Sequence, residues 1–120
     1  MILLLTEKAK PDQLKKAGED LDGYIKFVVD IEKGILTIGG VRHVEGEETL
    51  LKDGSKQSDL WGGGYDTESG DIDFDSMINI RPEQGNTSRE VLDPEIRKAV
   101  EKVVWEFLVW MPKKLLWILL

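Results

Sequence analysis

The sequence predicts a single α+β domain in which a mostly antiparallel sheet, built from hairpins, carries helices packed on one face. The 120-residue length fits one domain, and 41% hydrophobic with 32% charged residues is a globular composition. Strand-like segments occur in pairs joined by tight turns, and an amphipathic helix follows them. The expected order is approximately β-α-β-β-(α)-β-β-α over residues 1–111, with residues 112–120 as an apolar tail.

The first two elements are a short strand and a helix. Residues 2–6 are predicted as a buried strand because the run from Ile2 to Leu5 is apolar. Pro11 suits the first position of a helix, and Gly23 suits the position after its end. The residues with helical spacing between them are Leu14, Ala17, Gly18 and Leu21.

Residues 24–38 predict a hairpin. Alternation in residues 24–31 indicates a half-buried strand, and Gly34 permits the tight turn that brings residues 35–38 back as its partner. One face of the first strand is apolar: Ile25, Phe27, Val29 and Ile31. The opposite face holds Tyr24, Lys26, Val28 and Asp30.

The middle of the chain permits two structures. Residues 47–52 favour a short helix that ends at Asp53-Gly54. A second hairpin that turns at the same dipeptide fits almost as well. The sequence therefore permits either a helix or a hairpin in residues 41–60.

A further hairpin is predicted from residues 61–65 and 71–80, joined by the turn at residues 67–70. Alternation in the second strand places Ile72, Phe74, Ile78 and Ile80 on one face. The other face would hold Asp71, Asp73, Asp75, Met77 and Asn79. Pro82 lacks a backbone donor and ends this strand.

The last helix has clear signals at both ends. Asp93 is a favourable N-cap, Pro94 suits the first helical position, and Pro112 ends the helix near Met111. Its apolar stripe consists of Ile96, Ala99, Val100, Val103, Val104, Phe107, Leu108 and Met111.

Charge and composition exclude several classes of function. The net charge is −7, and residues 43–93 hold thirteen acidic against four basic side chains, so we expect no nucleic-acid binding. The absence of cysteine excludes disulfides and thiolate chemistry, and no signal peptide is recognised, so we expect a cytoplasmic protein. Two Asn and three Gln against twelve Lys and twelve Glu favour a thermophilic source.

A donor-rich loop provides candidate ligand-binding residues. It contains Arg81, Gln84, Asn86, Ser88 and Arg89 within nine residues. Guanidinium, amide and hydroxyl donors suit a carboxylate or phosphate, and His43, the only histidine, is a candidate base. In the structural alternative, the arginines pair with internal carboxylates and Asn86 shapes the turn.

No metal site or cofactor is predicted. The aspartates at residues 71, 73 and 75 are of the residue type that binds divalent cations. On the outer face of a strand, however, such carboxylates are usually solvated. Residues 61–65 contain three glycines without the Lys-Ser/Thr and the helix of a phosphate loop. These glycines therefore indicate a bulge or the close approach of another part of the chain.

The C-terminal part of the chain predicts a self-interface. Trp105 and Val109 fall opposite the apolar stripe of the last helix, and the tail contains Leu115, Leu116, Trp117 and Ile118. The tail is too short and too interrupted for a membrane span. It either folds back on its own domain or joins a second copy as a homodimer, with a membrane interface ranked third.

The string Ile-Asn-Ile-Arg-Pro-Glu-Gln-Gly-Asn at residues 78–86 is long and unusual. With residues 43–47, 54–57 and 61–62, it resembles a family of small prokaryotic proteins known only as a domain of unknown function. The resemblance covers residues 1–110. Residues 43–47 read His-Val-Glu-Gly-Glu where that family is expected to have His-Ala-Asp-x-Glu. The resemblance implies no activity, substrate or cofactor.

Two functional hypotheses follow. The favoured one is a non-enzymatic binding or interaction module that self-associates through residues 105–120. The alternative is a small enzyme or anion-binding protein with a pocket at His43, Arg81, Asn86 and Arg89. No nucleophile–base pair or cofactor fingerprint is visible in the sequence, which favours the first hypothesis.

Overall fold

The structure, a computed structural model, describes residues 1–109 and confirms the predicted α+β fold and element order. The strands are β1 (Ile2–Leu5), β2 (Tyr24–Asp30), β3 (Ile35–Gly39), β4 (Leu60–Asp66) and β5 (Ile72–Asp73). The helices are α1 (Pro11–Gly18), α2 (His43–Lys52) and α3 (Pro94–Leu108). Short 3-10 turns lie at Glu19–Leu21, Gln57–Asp59, Met77–Asn79 and Pro82–Gln84.

The five strands form one antiparallel sheet in the order β1-β3-β2-β4-β5. The central strand β2 pairs with β3 and with β4, so that Val28 lies between Thr37 and Gly62. The predicted hairpin of residues 24–38 is therefore confirmed, and β2 is flanked by strands on both sides.

The main core lies on the face of the sheet that α1 and α3 cover. Alternation in β2 directs three apolar side chains to this face, as predicted, and each of them is fully buried: Ile25, Phe27 and Val29. They pack with Ala17 of α1 and with the apolar stripe of α3. Burial of this apolar surface is the main force that stabilises the sheet and these two helices.

The helices do not all lie on one face, because α2 covers the opposite side of the sheet. There Val28, Leu50 and Leu60 form a second buried cluster. Gly46 makes this packing possible, since a Cβ at that position would overlap the Thr37 hydroxyl and lie 3.1 Å from a Val28 methyl. The face of β2 expected to be polar is thus partly covered, and residues 43–52 are helix rather than hairpin.

The second predicted hairpin is wrong in its length. β5 has only two residues, and the rest of residues 71–80 leaves the sheet. The Ser76 hydroxyl accepts a hydrogen bond from the Ile78 N–H, which begins a 3-10 turn at Met77–Asn79. The Asn79 side chain then bonds the N–H and the carbonyl of Gly62, so an amide occupies the place that a longer strand would have taken on β4.

α3 begins as predicted and ends before the predicted residue. The Asp93 carboxylate accepts a hydrogen bond from the Glu95 N–H at 2.8 Å, as an N-cap does. The helix ends at Leu108, and Val109 is extended. Met111 and the predicted tail lie outside the described residues. None of the helices within residues 1–109 has the length and apolar character needed to cross a membrane.

Replacing Gly46 by alanine tests the close approach of α2. Alanine normally stabilises a helix relative to glycine by about 1 kcal/mol. At this position we expect Gly46→Ala to lower the free energy of unfolding by about 1–3 kcal/mol, because the added methyl overpacks a buried contact. Urea unfolding would measure the change. Glu48→Ala, on the exposed side of the same helix, should leave stability within about 0.5 kcal/mol, and a stabilised Gly46→Ala variant would refute this packing.

Candidate functional site

Residues 74–92, here called the clamped segment, are irregular and are held by two buried asparagines. The Asn79 Nδ2 donates to the carbonyls of Gly62, Phe74 and Arg89 at 2.9–3.0 Å. Its Oδ1 accepts from the Gly62 N–H at 2.9 Å. Both sides of the amide are therefore used to hold the segment against β4.

Asn86 has the same role at the other end of the segment. Its Nδ2 donates to the carbonyls of Asn79, Ser88 and Glu90 at 2.8–3.0 Å, and its Oδ1 accepts from the Leu92 N–H at 2.9 Å. The side chain is only 4% exposed. Its hydrogen-bonding capacity is used by the backbone, so it holds the segment in shape.

Arg81 points into the protein. It is 4% exposed, and its guanidinium donates to the carbonyls of Gln57 and Leu60 and lies 3.9 Å from the centre of the Trp61 ring. Burial lowers the pKa of Arg81 from its ordinary value, while the charges of Glu47, Glu83 and Asp59 oppose that shift. The side chain ties the clamped segment to the residues that lead into β4.

Gln84 and Ser88 also bond to the backbone. The Gln84 Nε2 donates to the Ser58 carbonyl at 3.1 Å, and the Ser88 Oγ accepts from the Glu90 N–H at 3.0 Å. Four of the six predicted ligand-binding residues thus make hydrogen bonds that shape the segment. The structure brings the remaining two, His43 and Arg89, to one cavity.

This cavity has a volume of about 330 Å³ and lies on the α2 side of the sheet. Its lining comes from Tyr24 and Lys26 of β2, from residues 42–44 at the start of α2, and from residues 75–78 and Arg89 of the clamped segment. Neither Lys26 nor Arg42 was among the site residues predicted from the sequence. Alternation in residues 24–31 places Lys26 on the face of the strand opposite the main core. The residues that surround Lys26 there depend on where α2 packs, which the strand pattern does not show.

His43 is held in one tautomer. Its Nε2 lies 2.7 Å from the Gly63 carbonyl oxygen, and because a carbonyl can only accept, Nε2 carries the proton. Burial lowers the pKa of His43, assisted by the charge of Lys26 and opposed by the Gly63 bond and by Asp73 and Asp75. The ring is therefore neutral at pH 7, and its Nδ1 keeps a lone pair that can accept a hydrogen bond or a proton.

Tyr24 and Ser76 explain two of the three glycines of β4. A Cβ on Gly64 would overlap the Tyr24 hydroxyl, and a Cβ on Gly62 would lie 2.8 Å from the Ser76 side chain. The Tyr24 hydroxyl donates to the Asp73 carboxylate at 2.5 Å. Burial, followed by this bond and nearby carboxylates, raises the pKa of Tyr24 well above its usual value, so the hydroxyl stays protonated.

The cavity lining carries more positive than negative charge. Lys26, Arg42 and Arg89 are cationic, and Asp75 is the only acidic residue of the lining. Arg89 pairs with Asp75, with Nε and Oδ1 2.8 Å apart, whereas Lys26 and Arg42 form no ion pair with any carboxylate of residues 1–109. The N-terminus of α2 adds the positive end of a helix dipole, which the Glu45 carboxylate offsets in part by accepting from the Val41 and Arg42 N–H groups. This arrangement is suited to holding an anion.

Other parts of the described chain are weaker candidates for a functional site. Within residues 1–109, no three acidic or histidine side chains converge as metal ligands would. A larger cavity of about 670 Å³ lies between α1 and the end of β4, with Leu14, Tyr65 and Leu108 in its lining. Leu108 places this cavity beside the end of α3.

Arg81→Ala separates a structural role from a ligand-binding one. We expect this substitution to lower the free energy of unfolding without any ligand by about 2–4 kcal/mol, because it leaves buried carbonyls unpaired. Chemical denaturation would measure the loss. Arg89→Ala is the matched control, since its ion pair is exposed and is expected to contribute about 0–1 kcal/mol. Equal stability of the two variants would contradict the assigned role of Arg81.

Comparison with known proteins identifies a family for this chain but indicates no activity. A family model described as "Protein of unknown function (DUF5674)" matches residues 3–107. No curated protein and no solved structure matches the chain significantly. The predicted resemblance to a family of unknown function is confirmed, and the string at residues 78–86 lies within the matched region. The chain therefore belongs to the DUF5674 family of proteins of unknown function.

Proposed function

We propose that this protein is a binding module that holds a small anion in the cavity between β2, the start of α2 and the clamped segment. The observation that carries the proposal is the presence of Lys26 and Arg42 at one cavity, neither of them paired with a carboxylate of residues 1–109. Unpaired cations that share a concave, partly desolvated site attract an anion more strongly than the same cations on an open surface.

The acidic residues near the cavity do not cancel this attraction. The Asp75 carboxylate is bonded to Arg89, and the Asp73 carboxylate accepts from the Tyr24 hydroxyl. The Arg89 guanidinium offsets the charge of Asp75, whereas Asp73 keeps its negative charge but does not belong to the cavity lining. Lys26 and Arg42 are therefore the groups that a phosphate or carboxylate would bind.

The geometry supports binding better than catalysis. His43 is the candidate base, and its Nδ1 carries the lone pair. The lining of the same cavity holds the Tyr24 hydroxyl, which donates to Asp73, and the buried Ser76 hydroxyl, which accepts a hydrogen bond from the Ile78 N–H at 3.2 Å. Within residues 1–109, no hydrogen bond links either hydroxyl to His43, as a nucleophile and its base would require.

Lys26→Met tests the anion site. We expect the wild type to bind inorganic phosphate and Lys26→Met to bind it about tenfold more weakly, because a charge-assisted hydrogen bond is lost. Isothermal titration calorimetry at constant ionic strength would measure both affinities. Lys16→Met, which removes an exposed lysine of α1 at the same net charge, is the control and should bind like the wild type. Equal affinities for all three proteins, or no binding by the wild type, would refute the proposal.

Self-association through α3 is a second candidate function. Trp105 is 44% exposed on the side of the helix away from the core, and exposed tryptophans are frequent in interfaces. Val109 differs from the prediction, because the helix ends before it and its side chain packs against the core. Leu115, Leu116, Trp117 and Ile118 lie outside the described residues, so Trp105 is the described member of this proposed homodimer interface.

Light scattering after size exclusion tests the homodimer. We expect the wild type to have a molar mass near twice 13.6 kDa, and Trp105→Glu to shift it to the monomer mass, because a charge replaces an apolar contact at the twofold interface. Leu92→Glu is the control, since Leu92 is 52% exposed elsewhere and should leave the mass unchanged. A wild-type mass of 13.6 kDa would exclude the homodimer at the concentration used.

The remaining predictions from composition concern location, source and partners. A cytoplasmic location, a thermophilic source and the absence of nucleic-acid binding stay predictions from the sequence.

A further inference from the structure

We infer that the ligand of the cavity is an amphiphilic organic anion, with a phosphate or carboxylate head and an apolar body, rather than an inorganic ion. This inference rests on the anion site proposed above. Its basis is the mixed lining of the cavity. The cations Lys26 and Arg42 line it together with three apolar residues, Val44, Met77 and Ile78.

Two of the apolar residues of the lining are exposed in the absence of a ligand. Met77 is 63% exposed and Val44 is 46% exposed. These two side chains come from different elements, the clamped segment and α2, yet both line the same cavity. Exposed apolar side chains that converge beside a polar pocket mark a surface that binds an apolar group.

The outward position of Met77 is set by the fold. Ser76 is buried and bonds the Ile78 N–H, while the Asn79 side chain is anchored to Gly62. Ser76 and Asn79 are fixed inward and Ile78 packs against the second buried cluster, which leaves Met77 as the exposed residue of the turn, at the rim of the cavity. A methionine at the rim has a flexible, polarizable side chain that adapts to apolar ligands of different shape.

The size of the cavity agrees with a ligand larger than an inorganic ion. Its volume is about 330 Å³, at the lower end of the range for small-molecule sites. A cavity of about 150 Å³ is enough for a benzene ring. Space for an apolar ring or a short chain therefore remains beside a phosphate or carboxylate held at Lys26 and Arg42.

The cations and the apolar residues of the lining would together fix the orientation of the ligand. Its head would lie at Lys26, Arg42 and the N-terminus of α2, where the neutral His43 Nδ1 can accept a hydrogen bond from a protonated head-group oxygen. Its body would cover Val44 and Met77. Such binding removes apolar surface from water at both partners, so affinity should rise with the apolar area of the ligand.

Calorimetric titration with paired probes tests this inference. We expect phenyl phosphate to bind the wild type about tenfold more tightly than inorganic phosphate, because the ring buries apolar surface. A second pair, hexanoate and acetate, determines whether the preference also holds for a carboxylate head. A preference in either pair supports the inference, and the pair that shows the tighter binding identifies the head group.

Two variants separate the head from the body. Met77→Gln keeps the size of an exposed side chain, so it should preserve folding and inorganic phosphate affinity while reducing the tenfold preference to about twofold to threefold. Val44→Thr, also exposed and nearly isosteric, should act in the same direction. Lys26→Met should weaken both probes of a pair by the same factor and leave their ratio unchanged.

The outcomes distinguish this inference from the proposal on which it rests. If inorganic phosphate binds in a Lys26-dependent manner and neither pair shows a preference, the amphiphilic ligand is excluded and the anion site stands. A preference that survives both Met77→Gln and Val44→Thr also overturns the inference. If no probe binds the wild type, both the anion site and the amphiphilic ligand are excluded.

Discussion

A side-chain amide that pairs with a strand is the interaction on which the candidate site depends. Asn79 is fully buried and bonds both the N–H and the carbonyl of Gly62, at the point where β5 has already ended. The backbone beyond β5 is thereby released from the sheet without leaving β4 unpaired at this position. Residues 75–78 can then line the cavity with Lys26 and His43, which a continuous strand would not allow.

Only an amide satisfies these requirements with one side chain. A buried backbone group left without a partner costs about 1–3 kcal/mol, and Gly62 presents both a donor and an acceptor. A carboxylate would face the carbonyls of Phe74 and Arg89 as well, and could donate to none of them when ionised. Asn86 solves the same problem between Asn79 and Leu92. The amides and Arg81 of the recognisable string are thus engaged in folding.

Elements with local sequence signals were predicted correctly. The prediction was wrong where a side chain, and not a backbone strand, forms the hydrogen bonds to β4. Alternation located β2, the tight turn at Gly34 located β3, and the capping residues located the start of α3. Residues 71–80 alternate as well as β2 does, but alternation cannot show that Asn79 bonds β4 in place of a strand.

The loop of residues 81–89 is rich in hydrogen-bond donors, as its composition indicates. Composition does not show whether those donors bind a ligand or the protein backbone, because the same side chains can do either. The sequence also does not show that Lys26 and Arg42 line one cavity. That arrangement depends on α2 covering the second face of the sheet, which Gly46 makes possible.

The charge of a segment along the chain is also a poor guide to the charge of a cavity. Residues 43–93 are strongly acidic, while the cations Lys26 and Arg42 come from residues 1–42, where the charges balance. Folding brings those cations against a segment whose nearest carboxylates are already bonded to Tyr24 and Arg89. At distances beyond about 8–10 Å, salt screens the repulsion between an anion and the protein's net charge of −7, so the contacts within the cavity decide affinity. Apolar residues in the lining add affinity that does not depend on charge, which is how an acidic protein can hold an organic anion with few cations.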